Sequence, residues 1–88
     1  MMADEISEKV RRILREQVRL SREPDKLSDD DDLFKAGMTS HSSVNLMLAL
    51  EDAFDIEFPD EVLNRSTFES IASICKVVGK LDRRAKDV

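Results

Sequence analysis

Residues Gly37 to Glu61 read GMTSHSSVNLMLALEDAFDIEFPDE, and the way this stretch starts, repeats and stops decides how the rest of the chain folds. From Ser40 to Phe54 it contains strong helix formers and neither Gly nor Pro, and Thr39 or Ser40 supplies an oxygen suited to an N-cap. Leu46, Met47, Leu50, Ala53 and Phe54 fall on one face of such a helix and predict its contact with a core. Val44 and Leu48 fall to one side, which is more apolar surface than a single buried stripe requires. Pro59 disfavours a helical residue before it, so the helix ends near Asp55, and Ile56 and Phe58 read as apolar pegs in the connection that follows.

Working outward, Ile6, Val10, Ile13, Leu14 and Val18 recur at helical spacing and predict a first helix from about Asp4 to Leu20. Its acids (Asp4, Glu5, Glu8) come early and its bases (Arg11, Arg12, Arg15, Arg19) late, the order that complements a helix dipole. Between Ser21 and Thr39 the periodicity stops. Pro24, Ser28 and the run Asp29 to Asp32 read as a long loop, which Leu27, Leu33, Phe34 and Met38 keep ordered as pegs, with a helical turn near Leu33. Beyond Pro59 a short helix from Asp60 to about Asn64 is expected. A last helix follows, capped by Ser66 or Thr67 with Glu69 close enough for a capping box. Phe68, Ile71, Ile74, Cys75 and Val78 form its buried stripe and Gly79 marks its end.

The expected fold is therefore an all-α bundle of three main helices plus one short one, with a long ordered loop between the first two. Its expected core is Ile6, Val10, Ile13, Leu14, Leu46, Leu50, Phe54, Ile56, Phe68, Ile71 and Ile74. Residues 1–88 are expected to form one domain with a core over about 4–81 and a frayed tail at 82–88. A chain of 88 residues buries only about 60% of its unfolded surface, which leaves little room for an enclosed active site. Nineteen acids against 14 bases give a net charge of −5, a sign that repels nucleic acid and anionic lipid surfaces. Cys75 and His41 are the only residues of their kinds, so cysteine-based zinc clusters and disulfides within the chain are excluded, and a reducing cytoplasm is the expected compartment. The longest uninterrupted apolar run is Leu46 to Leu50. With acids rather than bases near the N-terminus, neither a membrane span nor a signal peptide is expected.

The segments Asp32-Leu33-Phe34, Gly37-Met38-Thr39-Ser40, Val44-Asn45-Leu46, Ala49-Leu50-Glu51 and Phe54 to Glu61 match, in order and spacing, those of the acyl carrier protein family. The chain resembles that family from about Ile6 to Leu81. The resemblance implies a monomeric four-helix bundle with no catalytic residues and no metal site. It places 4'-phosphopantetheine on Ser40, where a phosphopantetheinyl transferase attaches it through a phosphodiester. The arm would carry an acyl group as a thioester to acyl-processing enzymes. A phosphate at that position would also lie by the free N–H groups at the start of a helix, a contribution of about 0.3–1 kcal/mol. The plainer reading of Ser40 is a simple N-cap.

Here the family's Asp-Ser-Leu is Thr39-Ser40-His41. The missing carboxylate is one that could position a metal-bound coenzyme A, so a dedicated transferase is implied. His41 either reads a specialised partner or is an ordinary exposed histidine. Together with Asn45, these departures lend weight to a stand-alone aminoacyl or peptidyl carrier loaded by an adenylate-forming ligase. A third reading is a degenerate carrier fold that serves only as a protein-interaction module. The expected partner surface is Thr39, His41, Val44, Leu48, Glu51, Asp52 and Glu57, with the apolar pair supplying contact and the acids steering a basic partner. Asp29 to Asp32 do not fit an EF-hand from either end: counted from Asp29 the required Gly is Phe34, and counted from Asp32 the final Glu is Ser43. Repulsion within that run predicts stabilisation of the loop by salt or divalent ions.

Overall fold

A computed structural model describes the backbone of residues 2–82 and the side chains of residues 5–82. Four α-helices follow in order: α1 (Met2–Gln17), α2 (Ser40–Phe54), α3 (Arg65–Phe68) and α4 (Ile71–Leu81), with single 3-10 turns at Pro24–Lys26 and Asp60–Val62. No strand occurs among the described residues, as the all-α expectation requires. Helix α1 packs against both α2 and α4. Its stripe Ile6, Val10, Ile13 and Leu14 meets Leu46, Leu50 and Phe54 of α2 and Ile71, Ile74 and Val78 of α4 in one buried cluster. Each fully buried Leu or Ile is worth about 1.5–3 kcal/mol, so these stripes dominate the stability of the bundle. Lys9 ties α1 to the end of α2: its Nζ donates to the Ala53 carbonyl at 2.9 Å and lies 4.7 Å from the centre of the Phe54 ring.

Helix α1 stops at Gln17 instead of reaching Leu20. The reason lies in the loop, which returns across the helix end: the Ser21 N–H donates to the Ala36 carbonyl at 2.7 Å. Gly37 sits there with φ of +124°, and a Cβ at that position would come within 3.1 Å of the Arg19 carbonyl oxygen. The loop is ordered, as expected, and Leu27, Leu33 and Met38 are buried pegs, while Phe34 is half-buried. The anticipated turn near Leu33 is a series of hydrogen-bonded turns in which the Ala36 and Met38 N–H groups both donate to the Leu33 carbonyl. Two further backbone bonds fasten this loop to the C-terminal half: Leu33 N–H to the Glu69 carbonyl at 2.7 Å, and Ala72 N–H to the Asp29 carbonyl at 2.9 Å. The second satisfies a donor in the first turn of α4 that has no partner within its own helix.

Arg11 and Arg15 of α1, with Arg22 of the loop itself, hold this loop. Arg11 donates to the Pro24 carbonyl, to the Leu27 carbonyl at 2.9 Å and to Asp29 Oδ1 at 2.6 Å. Arg15 pairs with Asp25 at 2.7 Å, and Arg22 with Asp31 at 3.0 Å. The Ser28 backbone N–H, its hydroxyl and then Arg22 hold the Asp31 carboxyl below its ordinary range. Asp32 accepts from the Phe34 and Lys35 N–H groups. Three of the four clustered aspartates, Asp29, Asp31 and Asp32, thus have their own donors, which offset part of the repulsion within the run.

Several details after α2 depart from expectation. Ile56 is only half-buried, and Phe58 takes its place in the core, meeting Phe68 edge-on with ring centres 5.7 Å apart. The short helix expected over Asp60 to Asn64 is a 3-10 turn ending at Val62, and a four-residue α-helix follows it at Arg65–Phe68. Asn64 and Ser70 are the caps, not Ser66 or Thr67. Asn64 Oδ1 accepts from the Thr67 N–H, and Ser70 forms a capping box with Ser73, not with Glu69. The Ser70-to-Ser73 box wins because Glu69 lies outside α4, where its carbonyl serves Leu33. Gly79 does not end α4, which runs to Leu81 with Gly79 facing α1, where an added Cβ would lie 3.9 Å from Ile6 Cδ1. Cys75 is half-buried rather than fully in the core. The frayed tail expected from residue 82 onward falls outside the described residues except at Asp82, which is buried, its N–H donating to the Val78 carbonyl at 2.8 Å.

The connection after α2 depends on Glu51. Its carbonyl accepts from the Ile56 N–H at 3.1 Å and its Oε2 accepts from the Phe58 N–H at 2.8 Å. Asp55 in the left-handed conformation, φ 55°, turns the chain there. Glu51→Ala should therefore destabilise the fold by about 1–3 kcal/mol, the cost of leaving a shielded N–H unpaired, and Glu51→Gln should recover most of it. The two glycines should respond in opposite directions. Gly37→Ala should cost about 1–3 kcal/mol through strain, whereas Gly79→Ala should gain up to about 1 kcal/mol of helix propensity. Urea unfolding of the four variants measures all of these; equal effects of the two alanine-for-glycine changes would refute the packing described at Gly37.

Candidate functional site

At the start of α2 the sequence Thr39-Ser40-His41-Ser42-Ser43 is sorted by hydrogen bonding. Thr39 is extended (φ −109°, ψ 170°) and is the N-cap. Its Oγ1 accepts from the Ser42 N–H at 3.1 Å, while its own N–H donates to Ser42 Oγ at 2.8 Å. Ser43 Oγ donates to the Ser40 carbonyl at 2.7 Å. The hydroxyls of Thr39, Ser42 and Ser43 are therefore spent on the helix start. Ser40 is exposed, and its hydroxyl has no hydrogen-bond partner among the described residues. Of the local hydroxyls it is the one free to react, and it stands in the first turn of a 15-residue helix, where backbone N–H groups lack partners and the dipole favours an anion. Reaching this arrangement requires the loop: Met38 and Leu33 are buried, so the two residues after Met38 emerge from the core directly at the surface.

Beside Ser40 runs an open groove of about 540 Å³ lined by Phe34, Ser43, Val44, Met47, Leu63, Asn64, Arg65 and Phe68. A second groove of about 480 Å³ lies between α1 and α2, where Leu48, Ala49 and Ile13 are flanked by Glu16 and Asp52. The two exposed apolar residues of α2 are thus divided between them. Val44, 50% exposed, borders the Ser40 groove, and Leu48, 53% exposed, borders the acidic one. Neither widens the core stripe.

The remaining expected surface residues separate in the same way. Asp52 and Glu57 are exposed on and just beyond α2, and His41 is exposed next to Ser40 without a hydrogen bond among the described residues. Glu51 departs from the expected partner surface, because its carboxylate is occupied by the Phe58 N–H. Thr39 likewise caps the helix with its hydroxyl. Leu63, Asn64 and Arg65 were not anticipated at the site. Leu63 is the exposed apolar residue of the connection, at 42%, while Ile56, Phe58 and Val62 pack inward. Among the described residues no group of three or more His, Cys, Asp or Glu is placed to hold a metal ion.

Residues 8–78 match the family described as phosphopantetheine attachment site. An aminoacyl carrier protein of Agrobacterium fabrum is 49% identical over 65 residues, which are 74% of this chain and 78% of the relative. Among solved structures, a chain in the crystal structure of engineered Bradyrhizobium japonicum glycine:[carrier protein] ligase complexed with carrier protein from Agrobacterium tumefaciens and ATP superposes with a TM-score of 0.83. That chain has 43% identity, with 86% of this chain and 99% of that one covered. A solution structure of an Agrobacterium tumefaciens protein superposes with a TM-score of 0.69 at 40% identity, covering 93% and 99%. On the match over residues 8–78 and on this identity, the chain belongs to the family of phosphopantetheine-dependent carrier proteins.

Proposed function

We propose that Ser40 bears the 4'-phosphopantetheine arm and that the protein is an aminoacyl carrier, loaded by an adenylate-forming ligase. The observation that carries the attachment is the unpartnered, exposed Ser40 hydroxyl at the start of α2, beside hydroxyls that are all engaged. The residues fit the group. The first turn of α2 offers N–H donors to a phosphate, and the open groove next to Ser40 offers apolar lining to an arm. When bound, the arm supplies a terminal thiol that holds the cargo as a thioester. The chain itself then works as a handle: its fold presents Ser40 and keeps the surrounding side chains inert.

Support for an aminoacyl rather than a fatty cargo comes from the 49% identical aminoacyl carrier protein and from the relative solved with a glycine:[carrier protein] ligase. Cys75 does not compete with the arm. Burial pushes its thiol up to about 11, with Asp29 adding to the shift against Arg11, so at neutral pH it stays protonated and a poor nucleophile. A free thiol on the arm requires a reducing compartment, which fits the cytoplasm, and no described helix is long and apolar enough to cross a membrane.

The partner surface is Val44, Leu48, Asp52, Glu57 and His41 on the exposed side of α2 and just beyond it. Incubation with coenzyme A and a phosphopantetheinyl transferase should add one arm to the wild type and none to Ser40→Ala, read by intact mass. Subsequent incubation with an adenylate-forming amino acid ligase, ATP and glycine should add a glycyl group that hydroxylamine removes. Labelling of Ser42 or Ser43 in the variant would move the site. Efficient charging with a fatty acid but not with any amino acid would replace the cargo, and an unmodified wild type would leave only an interaction module.

Docking kinetics test the surface. Leu48→Ala should speed dissociation from the ligase, and Asp52→Lys should slow association and flatten its salt dependence. Both should leave stability nearly unchanged. A loss on the scale of a buried leucine, about 2–5 kcal/mol, in Leu48→Ala would show that this side chain belongs to the core.

A further inference from the structure

One charged side chain lines the groove beside Ser40, and it is Arg65. Its guanidinium lies over the Phe34 ring, 4.1 Å from the centroid. A cation over a ring face keeps its N–H donors, a planar fork suited to two oxygens, for other partners, and Arg65 is exposed. Among the described residues that fork has no hydrogen-bond acceptor and no carboxylate within ion-pair distance. Arg11, Arg15 and Arg22 each meet an aspartate; Arg12 and Arg19 have no ion pair among the described residues either, but neither lines the groove beside Ser40. In a chain with a net charge of −5, an arginine set against an aromatic ring in the groove that Ser40 also lines, with no carboxylate of its own among the described residues, is available to a negative group there.

The groove also joins Arg65 to Ser40 across otherwise uncharged lining. We propose that Arg65 is the positioning residue for the phosphodiester on Ser40: its fork holds the two non-bridging phosphate oxygens, and Phe34 holds the fork. This rests on the reading of Ser40 as the attachment site. A phosphodiester is singly charged at all working pH values and presents two equivalent free oxygens, which is the geometry a bidentate guanidinium matches and a lysine does not. The root of the arm is thereby drawn toward α3, on the Leu63 side of α2, rather than toward the acidic groove at Leu48 and Asp52. Asn64, beside Arg65, keeps its Oδ1 on the Thr67 N–H and so fixes the backbone from which Arg65 projects.

The test compares wild type, Arg65→Gln and Arg65→Lys in the unmodified and modified forms, with attachment at Ser40 verified by intact mass. Unfolding equilibria of both forms give the stabilisation that modification brings, so any stacking on Phe34 lost in a variant cancels between its two forms. Modification should stabilise wild type more than Arg65→Gln by about 1.5- to 5-fold in the unfolding constant, the range of an exposed ion pair, with Arg65→Lys between them. The difference should shrink in 1 M salt. In wild type the Arg65 Nε–H resonance should shift on modification. Equal stabilisation in all three proteins with an unmoved Arg65 resonance would overturn the contact while leaving Ser40 as the attachment site. If Arg65→Gln instead weakens ligase binding equally in both forms, with no difference between forms in stability, Arg65 meets the partner and the proposal is also overturned. Absence of the arm from Ser40 in wild type would remove both readings together.

Discussion

The loop between α1 and α2 must be held without regular secondary structure, and the side chain that holds it is Arg11. Loop carbonyls that leave water need donors, and an unsatisfied one costs about 1–3 kcal/mol. Arg11 supplies several donors from one planar group to Pro24, Leu27 and Asp29, near the middle of α1. The exposed pairs Arg15 with Asp25 and Arg22 with Asp31 add little by themselves, about 0–1 kcal/mol each. What they do is choose a path. With the loop held on that path, Leu27, Leu33 and Met38 reach the core, and their burial contributes more than the ion pairs do.

From that fixed loop the site follows. Met38 is buried and Thr39 caps, so Ser40 has to emerge at the surface in the first turn of α2. The capping box between Thr39 and Ser42 and the back-bond from Ser43 occupy the neighbouring hydroxyls. A chain with several hydroxyls in a row thereby presents one. The family's usual Asp before the serine is absent, yet Thr39 does the capping work that a short oxygen-bearing side chain can do at this position.

The exposed side of α2 is divided rather than continuous. Val44 faces the groove that Ser40 opens into, and Leu48 faces one flanked by Glu16 and Asp52. A carrier that must bind and release successive enzymes benefits from contacts that are exposed in isolation, because no core packing is disturbed on release. Glu51, one position before Asp52, belongs to the other side of this division: it holds the turn after α2. Adjacent acids on one helix therefore have opposite duties.

The amino-acid sequence by itself determined the all-α architecture, the apolar stripes of the three long helices, the boundaries of α2 and the position of Ser40 in its first turn. All of these are local periodicities or motif spacings, and a helix face is written in the order of its own residues. The early end of α1, the caps at Asn64 and Ser70, the placement of Phe58 over Ile56 and the contacts of Arg11, Glu51 and Arg65 were decided only by tertiary structure. Arg11 read as a residue complementing a helix dipole, and Glu51 as a surface acid, because a charged side chain carries no mark of which distant N–H or carbonyl it will meet. Those partners lie 16 residues away for Arg11 and Leu27, and 7 away for Glu51 and Phe58. Only the folded path of the chain sets such distances, since the side chain goes where an unpaired backbone group would otherwise be left without a partner.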